Sequence, residues 1–131
     1  MGTRADYYIG KGESAEWLGS TALDGYPDGK PVGIVAAKTE EEFRSAVAAL
    51  SGESDWSGPS DGWPWPWDDS CTTDFAYGWS DGAVWVARFG RPWAGGDDYD
   101  DNAPEMPFPD MSKRKNVQLG NKRSGMLLIR M

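Results

Sequence analysis

The chain has 131 residues, 39% of them apolar, a formal net charge of −8 and no histidine. That length fits one domain around a single core, and the missing imidazole removes Ser-His-Asp and Cys-His catalysis together with the commonest metal ligand. The negative charge argues against direct nucleic-acid binding and against anionic membrane surfaces, both of which call for a basic footprint.

Glycine (17) and proline (9) are abundant, so loops are extensive, while eight tryptophans offset the shortage of aliphatic residues. Each indole can bury on the order of 200 Å², and aromatics are predicted to dominate the core. A single cysteine, Cys71, excludes an internal disulfide and fits a reducing compartment. Asp68, Asp69 and Asp74 surround it in sequence and disfavour a reactive thiolate. The opening "MGTRADYYIG" has no apolar signal-type stretch, and no run approaches the ~18 residues of a transmembrane helix. Gly2 begins a myristoylation pattern, but Asp6 stands where Ser or Thr is required. These features predict a soluble, cytoplasmic protein.

In chain order, Ala5, Tyr7 and Ile9 alternate against Asp6 and Tyr8, the period of a strand. "AEWLGST" (15–21) pairs back onto it as a hairpin. "LDGYPDGKP" (23–31) holds two successive turn signals, and "VGIVAA" (32–37) is expected as a short strand. The clearest helix covers 39–50. Thr39 and Glu42 form a capping box, Glu40 and Glu41 face the positive end of the helix dipole, and Phe43, Ala46, Val47 and Leu50 make one apolar stripe. Gly52 is expected to supply the stop. Residues 51–62 read as a polar connection.

"DGWPWPWDDS" (61–70) is the most distinctive stretch. Proline fixes its own φ and extends the residue before it, so Trp63 and Trp65 are held extended. Two roles compete for this segment: a rigid aromatic strap over one face of the sheet, or a recognition surface, since Trp is also a hot-spot residue. Residues 74–89 form the best hairpin, with Asp81-Gly82 as a type I′ turn. That turn sets Trp79 opposite Val84, Tyr77 opposite Val86, Phe75 opposite Arg88, Trp85 over Gly78 and Ala76 against Ala87. Residues 94–116 form a long acidic, proline-rich loop with no period, and 125–131 read as one last buried strand. The expected fold is a single α+β domain over 1–131: a mainly antiparallel, twisted sheet of about five strands, the 39–50 helix on one face and the Trp-Pro strap near the other.

Familiar chemical motifs fail on their own geometry. "GKGESA" (10–15) matches a dinucleotide fingerprint, but Gly19 cuts the helix it needs. "GYPDGKP" (25–31) is one residue short of a P-loop, with Pro31 in the place of the hydroxyl. Asp98, Asp100 and Asn102 fit the first calcium-loop positions, yet Ala103 and Pro109 stand where glycine and glutamate belong. No pair of carboxylates has a spacing that singles it out for acid/base work. No catalytic residue, metal ligand or cofactor is assigned.

The charge is unevenly spread: residues 1–110 carry 21 acidic and 7 basic side chains, and residues 111–131 carry 6 basic and none acidic. The basic tail thus complements its own acidic body. Acids strung along 97–101 can imitate a phosphate track and occupy a basic nucleic-acid-binding surface on another protein.

"MGTRADYYIGKG", "AEWLGS", "DGYP", "KTEEEFR", "GWPWPWDDS", "TTDFAYGWSDGAVW" and "FPDMSKRKNVQLG" together resemble a family of short proteins found in tailed phages and prophages. The resemblance spans nearly the whole chain and brings no catalytic residue with it. It implies a small accessory protein acting on host machinery, similar in size and charge to anti-CRISPR and other anti-defence proteins. The expected function is non-enzymatic: inhibition of a bacterial host protein complex, with Asp97, Asp98, Tyr99, Asp100 and Asp101 steering association, Trp63, Trp65 and Trp67 as anchors where they are exposed, and Asp68 and Asp69 completing the contact. The alternatives are a nucleotide-signal sponge with an aromatic cage near Arg88, Arg91, Lys113, Arg114 and Lys115, and a carboxylate-based enzyme.

Overall fold

Ala5 and Tyr7 of β1 (Ala5–Ile9) lie on one face and Asp6 and Tyr8 on the other, and all four are buried. A strand covered on both faces belongs inside a sheet, and β1 is found there. The computed structural model describes residues 2–10, 12, 14–88 and the backbone of 94–95. The remaining strands are β2 (Glu16–Thr21), β3 (Trp56–Ser57), β4 (Phe75–Ser80), β5 (Ala83–Arg88) and β6 (Ala94–Gly95). Among the described residues they form a six-stranded sheet in the order β3-β2-β1-β4-β5-β6.

The fold is α+β. Four pairings are antiparallel, and β1 runs parallel to β4, Ala5 beside Phe75 through Ile9 beside Trp79. The sheet is therefore mixed, because a long crossover carrying both helices separates the two central strands. The count exceeds five because β3 and β6 add two residues each. The expected terminal strand at 125–131 lies outside the described residues.

The β4–β5 hairpin has the predicted register at every pair from Phe75↔Arg88 to Ser80↔Ala83. Asp81 (φ 55°) and Gly82 (φ 76°) supply the two left-handed residues that a type I′ turn requires. The β1–β2 hairpin also forms, with a bulge: Tyr7 pairs with Gly19 and Tyr8 with Trp17, leaving Leu18 as the extra residue. Gly19 is needed there. Its φ is 151°, and a Cβ would stand 2.2 Å from the Trp56 ring.

Two helices cover one face. In α2 (Glu40–Leu50), Phe43, Val47 and Leu50 are buried and Ala46 is half-buried, the predicted stripe. Thr39 Oγ1 accepts from the Glu42 N–H at 3.1 Å, but Glu42 reaches back to the Lys38 N–H at 2.7 Å instead of to the cap's own. The stop also differs from expectation. Gly52 is not left-handed; the helix ends by tightening, with Ser51 N–H donating to Ala48 O and Glu53 N–H to Leu50 O.

The expected strand at 32–37 is instead a one-turn helix, α1 (Val32–Val35). Pro31 fixes φ at −76°, and its carbonyl accepts from both Ile34 and Val35, so the turn continues as helix. This buries Ile34 and leaves Val32 exposed, a split that a strand, with both on one side, would not allow. Ala5, Tyr7, Tyr77, Trp79, Val84 and Val86 of the sheet pack against Ile34, Phe43, Val47 and Leu50. Tyr8, Ala15, Trp17, Ala76 and Ala87 form the opposite face, covered by Trp63. Among the described residues no helix is long and apolar enough to cross a membrane.

Candidate functional site

The Trp-Pro segment covers the sheet face remote from the helices. Trp63 is 3% exposed and meets Trp17 edge to face, ring centroids 5.3 Å apart. Trp65 and Trp67 are half-buried and stacked on each other, centroids 5.6 Å apart and planes 16° from parallel. Each indole N–H has an internal acceptor: Trp63 donates to Trp67 O at 2.6 Å, Trp65 to Asp6 Oδ1 at 2.6 Å and Trp67 to Thr73 Oγ1 at 2.8 Å. A recognition anchor must present its ring to a partner. Trp63 does not, so the exposure on which its anchoring role depends is not met and its ring serves as cover for the sheet.

Asp6 is the hub of this face. Its side chain is fully buried. Oδ1 accepts from Ser20 Oγ at 2.5 Å and from Trp65, and Oδ2 accepts from Ser70 Oγ at 2.5 Å. The Thr73 hydroxyl, which accepts from Trp67, also acts on this carboxyl group to lower its pKa. Trp17 donates to Ser20 at 3.1 Å, and Tyr8 lies 2.6 Å from Ser70. With the Ser70 proton directed at Asp6, Tyr8 is the donor in that pair. One carboxylate thus gathers, directly or through one hydroxyl, the polar tips of Tyr8, Trp17, Trp65 and Trp67. Desolvation raises its pKa above the ordinary carboxylate value, outweighing the hydroxyl and indole groups that act to lower it. Every partner is neutral.

The strap continues into a short 3-10 turn, Ser70–Thr72, capped by Asp69, whose Oδ1 accepts from the Cys71 N–H at 2.9 Å. Asp69 is half-buried and Asp68 exposed. The guanidinium of Arg4 lies 5.3 Å from the centre of the Trp67 ring while its Nε donates to Asp74 at 3.1 Å. The cation position over this indole is therefore filled from within the chain. A ligand cage built on these rings would have to displace Arg4 and break the contacts to Asp6 and Thr73.

The outer surface is acidic. Among the described residues, 13 Asp and Glu side chains besides the buried Asp6 stand against five Lys and Arg. Arg4 pairs with Asp74, Lys30 with Asp55 at 2.7 Å, and Arg44 with Glu40 at 2.9 Å and Glu16 at 3.4 Å. A shallow, open depression on the outer side of α2 is lined by Glu40, Glu41, Arg44, Ser45 and Ala48. No group of three or more His, Cys, Asp or Glu among the described residues is placed to hold a metal ion. Asp97, Asp98, Tyr99, Asp100 and Asp101 lie outside the described residues, as do Arg91, Lys113, Arg114 and Lys115.

Two features escape sequence reasoning. Asp6 reads as the solvent side of an amphipathic strand, and only the strap reveals its burial. Leu23, Tyr26 and Val32 stand exposed at 51%, 42% and 57%. Their signal was local: large apolar residues set among turn formers have little to pack against. No protein family, curated protein or solved structure matches the chain.

Proposed function

We propose that the protein is a non-catalytic binding protein that docks its acidic surface on a basic surface of another protein, as a phage-type inhibitor of a bacterial host complex would. The observation that carries this reading is the uncompensated surface charge: among the described residues carboxyl groups outnumber cations, and Arg4, Lys30 and Arg44 are already engaged with them. Clustered carboxylates raise encounter rates with a basic surface and repel nucleic acid from it. Asp97, Asp98, Asp100 and Asp101 add four more in one stretch. The one fully buried carboxyl group among the described residues, Asp6, is committed to holding the strap.

The test is retention of bacterial proteins by the tagged full chain at low and high salt, read by native mass spectrometry. A stoichiometric protein partner released at high salt is expected. Neutralising 97–101 should slow its association and leave the melting temperature unchanged. A chain that emerges with a small-molecule adduct and no protein contradicts the proposal.

A further inference from the structure

Leu23, Tyr26 and Val32 are the large apolar side chains that stand exposed among the described residues, and all three belong to one segment, 23–32. Singly exposed apolar residues need no explanation; three within one ten-residue segment that runs into the first turn of α1 do. The loop is also held rigidly. The Gly25 N–H donates to Thr3 O at 2.9 Å, and the buried Tyr77 hydroxyl donates to Gly25 O at 2.6 Å. Lys30 N–H closes the loop onto Asp24 O at 2.9 Å. Asp55 clamps its base, accepting from Ala22 N–H at 3.1 Å, Leu23 N–H at 2.9 Å and Lys30 Nζ at 2.7 Å. The neighbouring Asp24 carboxylate holds the Tyr26 phenol pKa above its ordinary value. A surface already fixed by its own fold loses less conformational freedom on binding.

The flanks give the partner's chemistry. Asp24 and Asp28 are exposed. Lys30, the segment's cation, is turned away: its side chain is 18% exposed and faces Asp55, with Glu53 at 4.0 Å. The segment thus exposes three large apolar side chains interspersed with two carboxylates, while its cation is turned away.

We infer that the 23–32 loop is the docking tip of the binding surface and seats in an apolar depression flanked by lysine or arginine on a partner protein. This rests on the acidic-binding reading above. A second copy of the chain fits poorly, because it brings the same exposed carboxylates at Asp24 and Asp28 and the same net charge of −8.

The experiment uses the protein retained by the wild-type full chain at low salt as the probe. Its affinity is measured for the wild type, for the Leu23→Ser/Tyr26→Ser/Val32→Ser variant and for the chain neutralised at 97–101. The triple variant should bind at least tenfold more weakly with its melting temperature kept within a few degrees, since the replaced side chains are exposed. A Tyr26→p-benzoylphenylalanine chain should cross-link to partner peptides in which Lys or Arg adjoins apolar residues. Binding within twofold of wild type, or cross-links to peptides without basic residues, overturns the inference. If the neutralised chain weakens while the triple variant does not, the acidic reading stands and the docking tip fails. If the wild type retains no protein, or only itself, both fail.

Discussion

Replacing Asp6 by alanine removes the acceptor on which the aromatic face converges, and its cost follows from the donors left behind. Trp65 Nε1–H sits on a rigid ring between two prolines and cannot be re-aimed; leaving it unsatisfied costs about 1–3 kcal/mol. The Ser20 and Ser70 hydroxyls can rotate, so each loses about 0.5–1.5 kcal/mol. Removing a buried charge returns part of this, and a net destabilisation of about 2–4 kcal/mol is expected, large against a total of about 5–15 kcal/mol. Asp6→Asn is the informative partner. Its amide oxygen keeps the bonds from Trp65 and Ser20, its N–H₂ can donate to Ser70 Oγ, and its cost should stay within about 1 kcal/mol. The pH dependence separates the two further. Because the folded pKa of Asp6 is raised above 3.8, the folded state holds this proton more tightly than the unfolded one. The contribution of Asp6 is therefore fully present below the unfolded value and is lost as pH rises through the folded value. The asparagine variant should gain on wild type as pH rises from about 4 toward neutrality. Urea unfolding followed by tryptophan fluorescence measures all three chains. An alanine variant within about 1 kcal/mol of wild type, or a wild type to asparagine difference flat in pH, refutes the reasoning.

Gly19→Ala should destabilise by at least about 2 kcal/mol, because it combines an unfavourable φ with overlap onto the Trp56 ring; a melting temperature unchanged from wild type would show that the bulge relaxes. Trp63→Ala empties the centre of the strap and should cost about 3–5 kcal/mol in the same unfolding assay, whereas a cost below about 1 kcal/mol would place the ring on the surface. At Asp55, burial acts to raise the pKa, but the Lys30 hydrogen bond, the Leu23 N–H and the Lys30 charge outweigh it and hold the value below 3.8. Its contribution is thus present above the unfolded value and lost as pH falls through the folded one, so Asp55→Asn should flatten the acid limb of the stability profile. An acid limb as steep as that of wild type would remove Asp55 from that account.

Local signals carried much of the architecture. The Asp81-Gly82 turn dictates the whole β4–β5 register because a two-residue I′ turn permits one pairing, and the Phe43, Val47 and Leu50 period places α2 on the sheet. The parallel β1–β4 contact was not legible, since parallel pairing depends on a crossover with no local code. The short strand expected at 32–37 failed because alternation among Val32, Ile34 and Ala36 cannot be told from one helical turn once Pro31 has fixed the backbone. Of the expected contact residues, Trp63, Trp65 and Trp67 have in their Trp-Pro alternation a local signal for a strap over the sheet. Their choice between cover and anchor turned on Asp6, which a period-2 pattern assigns to the outside. The sequence marks 23–31 as turns and 32–37 as a strand, and the tertiary ties from Tyr77 and Asp55 that hold the 23–32 segment in place are invisible in it.

The most direct measurement is hydrogen exchange at the indole nitrogens of the free full chain, read by NMR. With Trp67 O, Asp6 Oδ1 and Thr73 Oγ1 as their respective internal acceptors, the Trp63, Trp65 and Trp67 N–H groups should exchange far more slowly than free indole; in Asp6→Ala, Trp65 loses its acceptor directly and the other two should lose protection with it as the strap loosens. Exchange at the free-indole rate in the wild type would mean that the strap lies open as a recognition surface, and the assignment of binding to the acidic surface and the 23–32 loop would be wrong.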